Sequence, residues 1–313
     1  MSNDLIITFL NGGLANQTFQ YIFYRFLQLS RGSAEGVYMD DSFFYTHRIH
    51  NGYELEKVFG VKPALLSGLF DDDVWAEMIE QKKAGRSIPQ QLLDMGEPIN
   101  VLTESDTLQE FNPYSGEVYT AKGGCNRFHP RLAELEGEWY LHFYGLNTGY
   151  FLQFRDVLKE ELSFKPFTEP QNIDIQARLL SEDSICLHVR RGDFVDIGRA
   201  VEPKYYREAL EKLLEGHSGA LLAVFSDDLG WCRDHADELG ISLADKVLYV
   251  EGNRGESSFR DLQLMSLCRG MVITDSSFCM LAALLNDRLT RFVNLSGADF
   301  GWKLGGLAKQ ENN

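Results

Sequence analysis

The stretch from Ser184 to Val195, SICLHVRRGDFV, constrains this chain more than any other. Its first half runs apolar to Val189, as a strand buried in an α/β sheet does. His188, Arg190, Arg191 and Asp193 then follow where that strand should end, and Gly192 lets the backbone turn without a Cβ penalty. Ligands of open α/β sheets bind at this carboxyl edge. Two guanidiniums held by one carboxylate make a planar, permanently charged fork suited to a phosphate or pyrophosphate. The same residues would also serve as a surface ion pair of little energetic weight, so the neighbouring strand ends have to decide.

Those ends carry more polar clusters. Beyond a domain boundary expected within Phe164 to Gln171, which holds Pro166 and Pro170, apolar strands are predicted at Ile185–Val189, Ala220–Phe225, Val247–Val250, Met271–Thr274 and Arg291–Leu295. Helical stretches at Tyr205–Leu214, Gly230–Leu239, Phe259–Cys268 and Phe278–Leu285 alternate with them, which implies a parallel sheet covered on both faces. Ser226-Asp227-Asp228 follows one strand and Thr274-Asp275-Ser276-Ser277 another. Each could be a helix cap, but recurrence at one edge argues for a shared crevice. Ser258 and Asp261 read as a capping box with Asp in place of Glu.

The amino-terminal half begins as a second such unit. Leu5–Leu10 reads as a strand, NGGLANQ from Asn11 to Gln17 as a glycine loop, and the aromatic-rich run to Leu29 as a helix starting near Asn16. Gly12 and Gly13 permit close backbone approach, while the helix start offers N–H groups and a positive dipole end. The spelling matches neither G-x-G-x-x-G nor a P-loop, and a tight turn capped by Asn16 explains it as well. Gly36–Asp40 reads as a strand ending in Asp40 and Asp41; His47, Arg48 and His50 as a solvated loop without metal spacing. Leu65–Val101 looks like peripheral decoration, with Asp71 to Asp73 capping a short helix. Glu138–Gly145 reads as a strand, and Thr148–Leu158 as a helix.

A chain of 313 residues accommodates two domains, here 1–165 and 166–313. The net charge of −16 opposes nucleic acid as a partner. The apolar run near Met1 lacks the flanks of a secretory signal, and no run reaches the length of a membrane helix. Five scattered cysteines, Cys125, Cys186, Cys232, Cys268 and Cys279, fit a reducing, cytoplasmic setting and the role of buried small hydrophobes better than a zinc site. Two Asn-x-Ser/Thr matches, at Asn16 and Asn294, read as accidental without a secretion signal.

With GGLANQTFQY (Gly12–Tyr21), HVRRGDFV (His188–Val195), FSDDLGWC (Phe225–Cys232), DLQLMSLC (Asp261–Cys268) and SSF (Ser276–Phe278) in this order, the chain resembles glycosyltransferase family 11, which contains bacterial α-1,2-fucosyltransferases. The resemblance covers nearly the whole chain. It implies a GT-B architecture of two facing Rossmann-like domains with parallel sheets, the first on the acceptor side and the second holding a GDP-sugar. It further implies inverting, metal-independent transfer of fucose from GDP-fucose to a glycan hydroxyl, such as a galactoside 2-hydroxyl, with no cofactor beyond that donor. On the family pattern, His188 and Arg190 contact donor phosphates, Arg191 with Asp193 orders the loop, and Ser226, Asp227, Ser276, Ser277 and Phe278 line the nucleotide pocket. Gly12, Gly13 and Arg191 join the residues expected to bind the donor, Asn16 of the glycine loop sits near the reacting carbon, and Arg190, Asn16 and Asp193 are the expected catalytic set. Peripheral membrane association is left open. His142, Asp40 and Glu138 are candidate bases by position.

The chain departs from relatives at Ala15 (usually Gly), Asp275 (usually Asn), Cys279 to Leu281 (usually Ser-Trp-Trp) and Leu146-Asn147 (where Trp-Gln is expected). These changes put acceptor choice in question and set a carboxylate near the expected diphosphate. Transfer of another GDP-activated sugar, or silent nucleotide-sugar binding, are the competing readings. Retention of Arg190, Asp193 and Asn16 opposes the silent one.

Overall fold

A computed structural model describes residues 4–103, 107–112, 117–122, 128–295 and 309–310, and Cys125 lies outside them. The chain divides into two compact units between Ser163 and Phe164. Among the described residues, no helix is long and apolar enough to cross a membrane.

The first unit is built on strands β1 (Leu5–Phe9), β2 (Val37–Asp40), β3 (Asn100–Thr103), β4 (Thr107–Asn112), β5 (Glu117–Lys122) and β6 (Glu138–His142), in the order β2-β1-β6-β3-β4-β5. The first four in that order are parallel; β4 and β5 add an antiparallel extension, so this sheet is mixed rather than parallel throughout. After β1 the chain turns at Gly12, whose φ of 76° suits glycine, and enters the helix Leu14–Arg31. That helix starts two residues before the expected Asn16. Gly13 occupies the cap position with no side-chain cap bond, so Asn16 is not the cap. The helix ends at Gly32 in left-handed geometry, whose N–H bonds back to Gln28 and Leu29 carbonyls.

The stretch read as decoration is a structural layer. Helices Asp72–Lys83 and Ile88–Asp94 bury Trp75, Met78, Ile79, Ile88 and Leu92 against Ile7, Phe9 and Tyr140 of the sheet. Trp75, Met78 and Ile79 recur at i, i+3, i+4, a stripe narrow enough for its charged neighbours to mask it in composition. Acidic residues in the first turn of Asp72–Lys83 and lysines in its last both favour the helix dipole. The helix expected over Thr148–Leu158 breaks at Phe154 into Thr148–Gln153 and Arg155–Glu161. Asn147 caps the first by accepting from Gly149 N at 2.8 Å.

The second unit holds β7 (Ser184–Val189), β8 (Leu221–Ser226), β9 (Lys246–Tyr249), β10 (Gly270–Ile273), β11 (Arg291–Asn294) and β12 (Lys309–Gln310), all parallel, in the order β12-β11-β10-β7-β8-β9. This is the doubly wound nucleotide-binding order, and its direction reverses between β7 and β10. Cys186, Cys232, Cys268 and Cys279 are buried free thiols. Ser258 has helical backbone angles and makes no cap bond; Asp261 instead accepts from Asn253 Nδ2 at 2.8 Å. The capping-box expectation therefore fails.

The glycine loop of the first unit is held by glutamines. The Nε2 of buried Gln17 donates to the carbonyls of Gly12 (2.8 Å) and Gly52 (2.7 Å), and its Oε1 accepts from Glu54 N (2.9 Å). Gln20 and Asn11 exchange two further bonds. Gln17→Leu keeps the volume but orphans three backbone groups, so it should cost about 2–4 kcal/mol. Thermal unfolding measures this, and an unchanged melting temperature would show that the loop does not depend on Gln17.

Candidate active site

The strands β10, β7 and β8 are neighbours, so the three polar clusters sit side by side at one carboxyl edge around the switch point. At the end of β7, Arg190 reaches Asp193 Oδ1 at 2.8 Å through one terminal nitrogen and Asp227 Oδ2 at 2.9 Å through the other. The expected Arg191–Asp193 pairing is corrected: Asp193 holds Arg190. Arg191 lays its guanidinium 3.5 Å over the Trp231 ring, with Asp228 Oδ2 at 3.7 Å, and gives its backbone N–H to Asp227 Oδ1 at 2.9 Å. Asp227 thus takes one bond on each oxygen from the arginine loop and keeps a further lone pair on each. A Cβ on Gly192 would come within 2.7 Å of Asp227 Oδ2, which explains the glycine better than the turn does.

The other expected pocket residues divide by role. Ser226 Oγ donates to Val189 O at 2.7 Å and accepts from Asp228 N at 3.0 Å, tying β7 to β8. Ser276 is the buried cap-position residue of the helix Ser277–Leu285, and the Phe278 ring lies 6.0 Å from that of His188. His188 is 6% exposed, and burial followed by the charge of Arg190 pushes its imidazole down to about 3. Beside Arg190 it is therefore a neutral imidazole rather than a second cation. Cys279, Met280 and Leu281 are buried in the unit's interior, so this segment offers no acceptor platform. Sequence reasoning missed Arg199, which stacks 5.3 Å from Phe194 and lies 3.9 Å from Asp275. Its spacing nine residues after Arg190 carries no pattern.

In the first unit the sheet's carboxyl edge gathers Asp40, Phe9 and His142 from β2, β1 and β6. Asp40 is fully buried and accepts from Tyr140 Oη at 2.6 Å and Ser42 N at 2.9 Å. Burial pushes Lys82 down, while Asp40 and Asp41 pull it up; the ammonium contacts Ser42 Oγ. His142 packs edge-on to Phe9, with ring centroids 4.1 Å apart, and burial lowers its pKa. Glu138 begins β6, at the opposite edge of the sheet, and is removed as a candidate base. Asn16 lies over the glycine loop, its Nδ2 only 2.9 Å from where a Gly12 Cβ would stand. Gly13 faces His50 in the same way, 3.3 Å from its ring.

The family model for glycosyl transferase family 11 matches residues 130–299, more than half of the chain. The chain belongs to this family. It is also similar to an alpha-1,2-colitosyltransferase of Escherichia coli, 26% identical over 91% of this chain and 88% of the relative. A galactoside 2-alpha-L-fucosyltransferase of Bos taurus is 34% identical over 32% of this chain and 27% of its own length. Among solved structures, a mutant of Arabidopsis thaliana FUT1 in complex with GDP superposes with a TM-score of 0.51 at 12% identity, covering 95% of this chain and 71% of that one. The family 11 chain accordingly has the GT-B fold class, with a Rossmann-type sheet in each unit.

Two groups of this family 11 member, buried His188 and partly buried Asp261, titrate in opposite senses. His188, lowered to about 3, loses stability for the fold as pH falls from 6.5, because the unfolded imidazole takes up a proton that the folded one refuses. Asp261, raised to about 7 by burial, loses stability as pH rises from about 4 to 7, because only the unfolded carboxyl ionises freely. His188→Gln should therefore flatten the acid side of the stability curve, and Asp261→Asn the neutral side. Chemical denaturation between pH 4 and 8 checks both signs; parallel curves for the two variants would contradict the assignment.

Proposed function

We propose that this glycosyltransferase moves fucose from GDP-fucose to a hydroxyl of a glycan acceptor, with inversion and without a metal ion. The observation that carries the reading is the Arg190 fork, fixed by Asp193 and Asp227 at the switch point of the second sheet. The donor's diphosphate leaves with growing negative charge as the glycosidic bond breaks. A preorganised guanidinium stabilises that charge more strongly in the transition state than in the bound donor. In this proposal the second unit is the GDP-sugar side and the first the acceptor side. His142, held neutral by burial on the first sheet's carboxyl edge, would take the acceptor proton. Asn16 would orient the sugar from the glycine loop. A galactoside 2-hydroxyl is the acceptor group the Bos taurus relative's name suggests. A second reading, transfer of colitose, is favoured by the Escherichia coli relative, which matches over far more of the chain.

The fork gives the sharpest test. Arg190→Lys keeps the charge and loses the bidentate geometry, so kcat should fall about 10²- to 10³-fold, with GDP affinity changed far less. Arg191→Lys should mainly lower the melting temperature, since it gives up the stack on Trp231. Near-normal turnover of folded Arg190→Lys would remove the mechanism. Activity should also survive EDTA, and turnover lost on chelation but restored by magnesium or manganese would refute metal independence. A donor screen that quantifies released nucleotide from GDP-fucose and GDP-colitose then selects between the two sugars.

A further inference from the structure

The short helix Gly192–Asp196 follows β7, and the way it ends decides where Arg199 stands. It closes in a Schellman motif: Arg199 N–H donates to Phe194 O at 2.8 Å and Gly198 N–H to Val195 O at 3.2 Å, with Gly198 in the left-handed position at φ 68°. Such a closure folds the second residue beyond the helix back over its last turn, where an apolar contact commonly seals it. Here a cation takes that place, the Arg199 guanidinium lying 5.3 Å from the centre of the Phe194 ring. The Arg190 guanidinium lies 5.8 Å from the same centre, so one ring gathers both cations. The two differ in their partners. Arg190 meets two carboxylates at hydrogen-bond distance, whereas Arg199 has Asp275 Oδ2 at 3.9 Å and makes no side-chain hydrogen bond among the described residues. Its side chain is 53% exposed, so a ligand can reach it.

We infer that Arg199 binds the donor's diphosphate beside Arg190 and supplies affinity for it before any bond breaks. This rests on the reading that the protein takes a GDP-sugar. A guanidinium fixed by backbone and ring keeps its five N–H donors unspent, and their planar array matches the paired oxygens of a phosphate. Because the turn already holds the side chain in place, little ordering has to be paid on binding. The two arginines then divide the work. Arg190, clamped by Asp193 and Asp227, answers the charge that grows on the leaving group, while Arg199 meets charge that the diphosphate carries throughout, which strengthens binding without lowering the barrier. Asp275 competes for the same cation and so weakens its grip.

Calorimetry with GDP and with guanosine on the wild type and on Arg199→Gln tests the inference. GDP affinity should fall about tenfold to a hundredfold, the usual cost of hydrogen bonds to a charged group, while guanosine affinity holds. In turnover the donor KM should rise more than kcat falls. Arg199→Lys, which keeps the charge, should recover part of the loss, and Asp275→Asn, which removes the competitor, should tighten GDP. Gly198→Ala leaves the cation in the chain but strains the turn that places it, so it should weaken GDP in the same direction. Equal loss for GDP and guanosine would put the effect on the fold and overturn the inference, as would unchanged GDP affinity in folded Arg199→Gln. If Arg199→Gln loses its thermal transition, Gly198→Ala carries the same expectation. Failure of the wild type to bind GDP at all would instead refute the GDP-sugar reading itself.

Discussion

The second unit depends on one small arrangement, two carboxylates from different elements converging on one guanidinium. Arg190 alone at a strand end would be a mobile surface charge, and exposed pairs of that kind contribute little. Asp193 approaches from the turn that follows and Asp227 from the end of β8, so the planar fork is fixed from two directions. Asp227 also takes the backbone N–H of Arg191, so the main chain and the side chain are locked by one residue. That double duty requires Gly192, since a side chain there would strike the same carboxylate. Glycine, aspartate and arginine are thus packed together at this edge.

The electrostatic cost is visible at the same edge. Two carboxylates against one guanidinium leave little net attraction for a diphosphate, in a chain whose overall charge is already −16. Arg191 and Arg199 supply the balance, each lying against an aromatic face, Trp231 and Phe194, with a carboxylate nearby at 3.7 and 3.9 Å, beyond hydrogen-bond reach. Stacking keeps a guanidinium in place while leaving its edge N–H groups available, which a second bidentate ion pair would not. His188 contributes no charge because it is buried beside Arg190, so the cationic character of the site comes from arginine alone.

Much of this was legible. The Rossmann-type alternation, the boundary near Phe164 and the three polar strand ends follow from periodicity and punctuation, and their adjacency follows from the strand order of the fold class. Pairings were not legible: a sequence places Arg190, Arg191 and Asp193 together but does not say which guanidinium the carboxylate meets, because that depends on the turn angle at Arg191. The layer over Asp72–Asp94 was missed because its apolar stripe is three residues wide among charges. Cys279 to Leu281 looked like a lost aromatic platform, yet the helix turns them inward. The cation beside Asp275, Arg199 at 3.9 Å, belongs to no motif, so the charge balance at that carboxylate is not readable from the sequence.

The two carboxyl edges differ in a way that bears on which unit takes the anionic substrate. The first edge buries Asp40 and Asp41 against Lys82, whose own charge is disfavoured by its burial. Gln17 takes up the Gly12 carbonyl of its glycine loop and ties it to Gly52 of a separate segment. A diphosphate brought there would meet two carboxylates at low dielectric, where repulsion is strongest. A neutral hydroxyl acceptor pays no such penalty, and a neutral imidazole at His142 is suited to it. The second edge has the opposite character, with three arginines whose partners are themselves partly solvated. Under the proposed function, this charge distribution favours the second unit for an anionic donor and the first for a neutral acceptor, by an argument independent of the motifs.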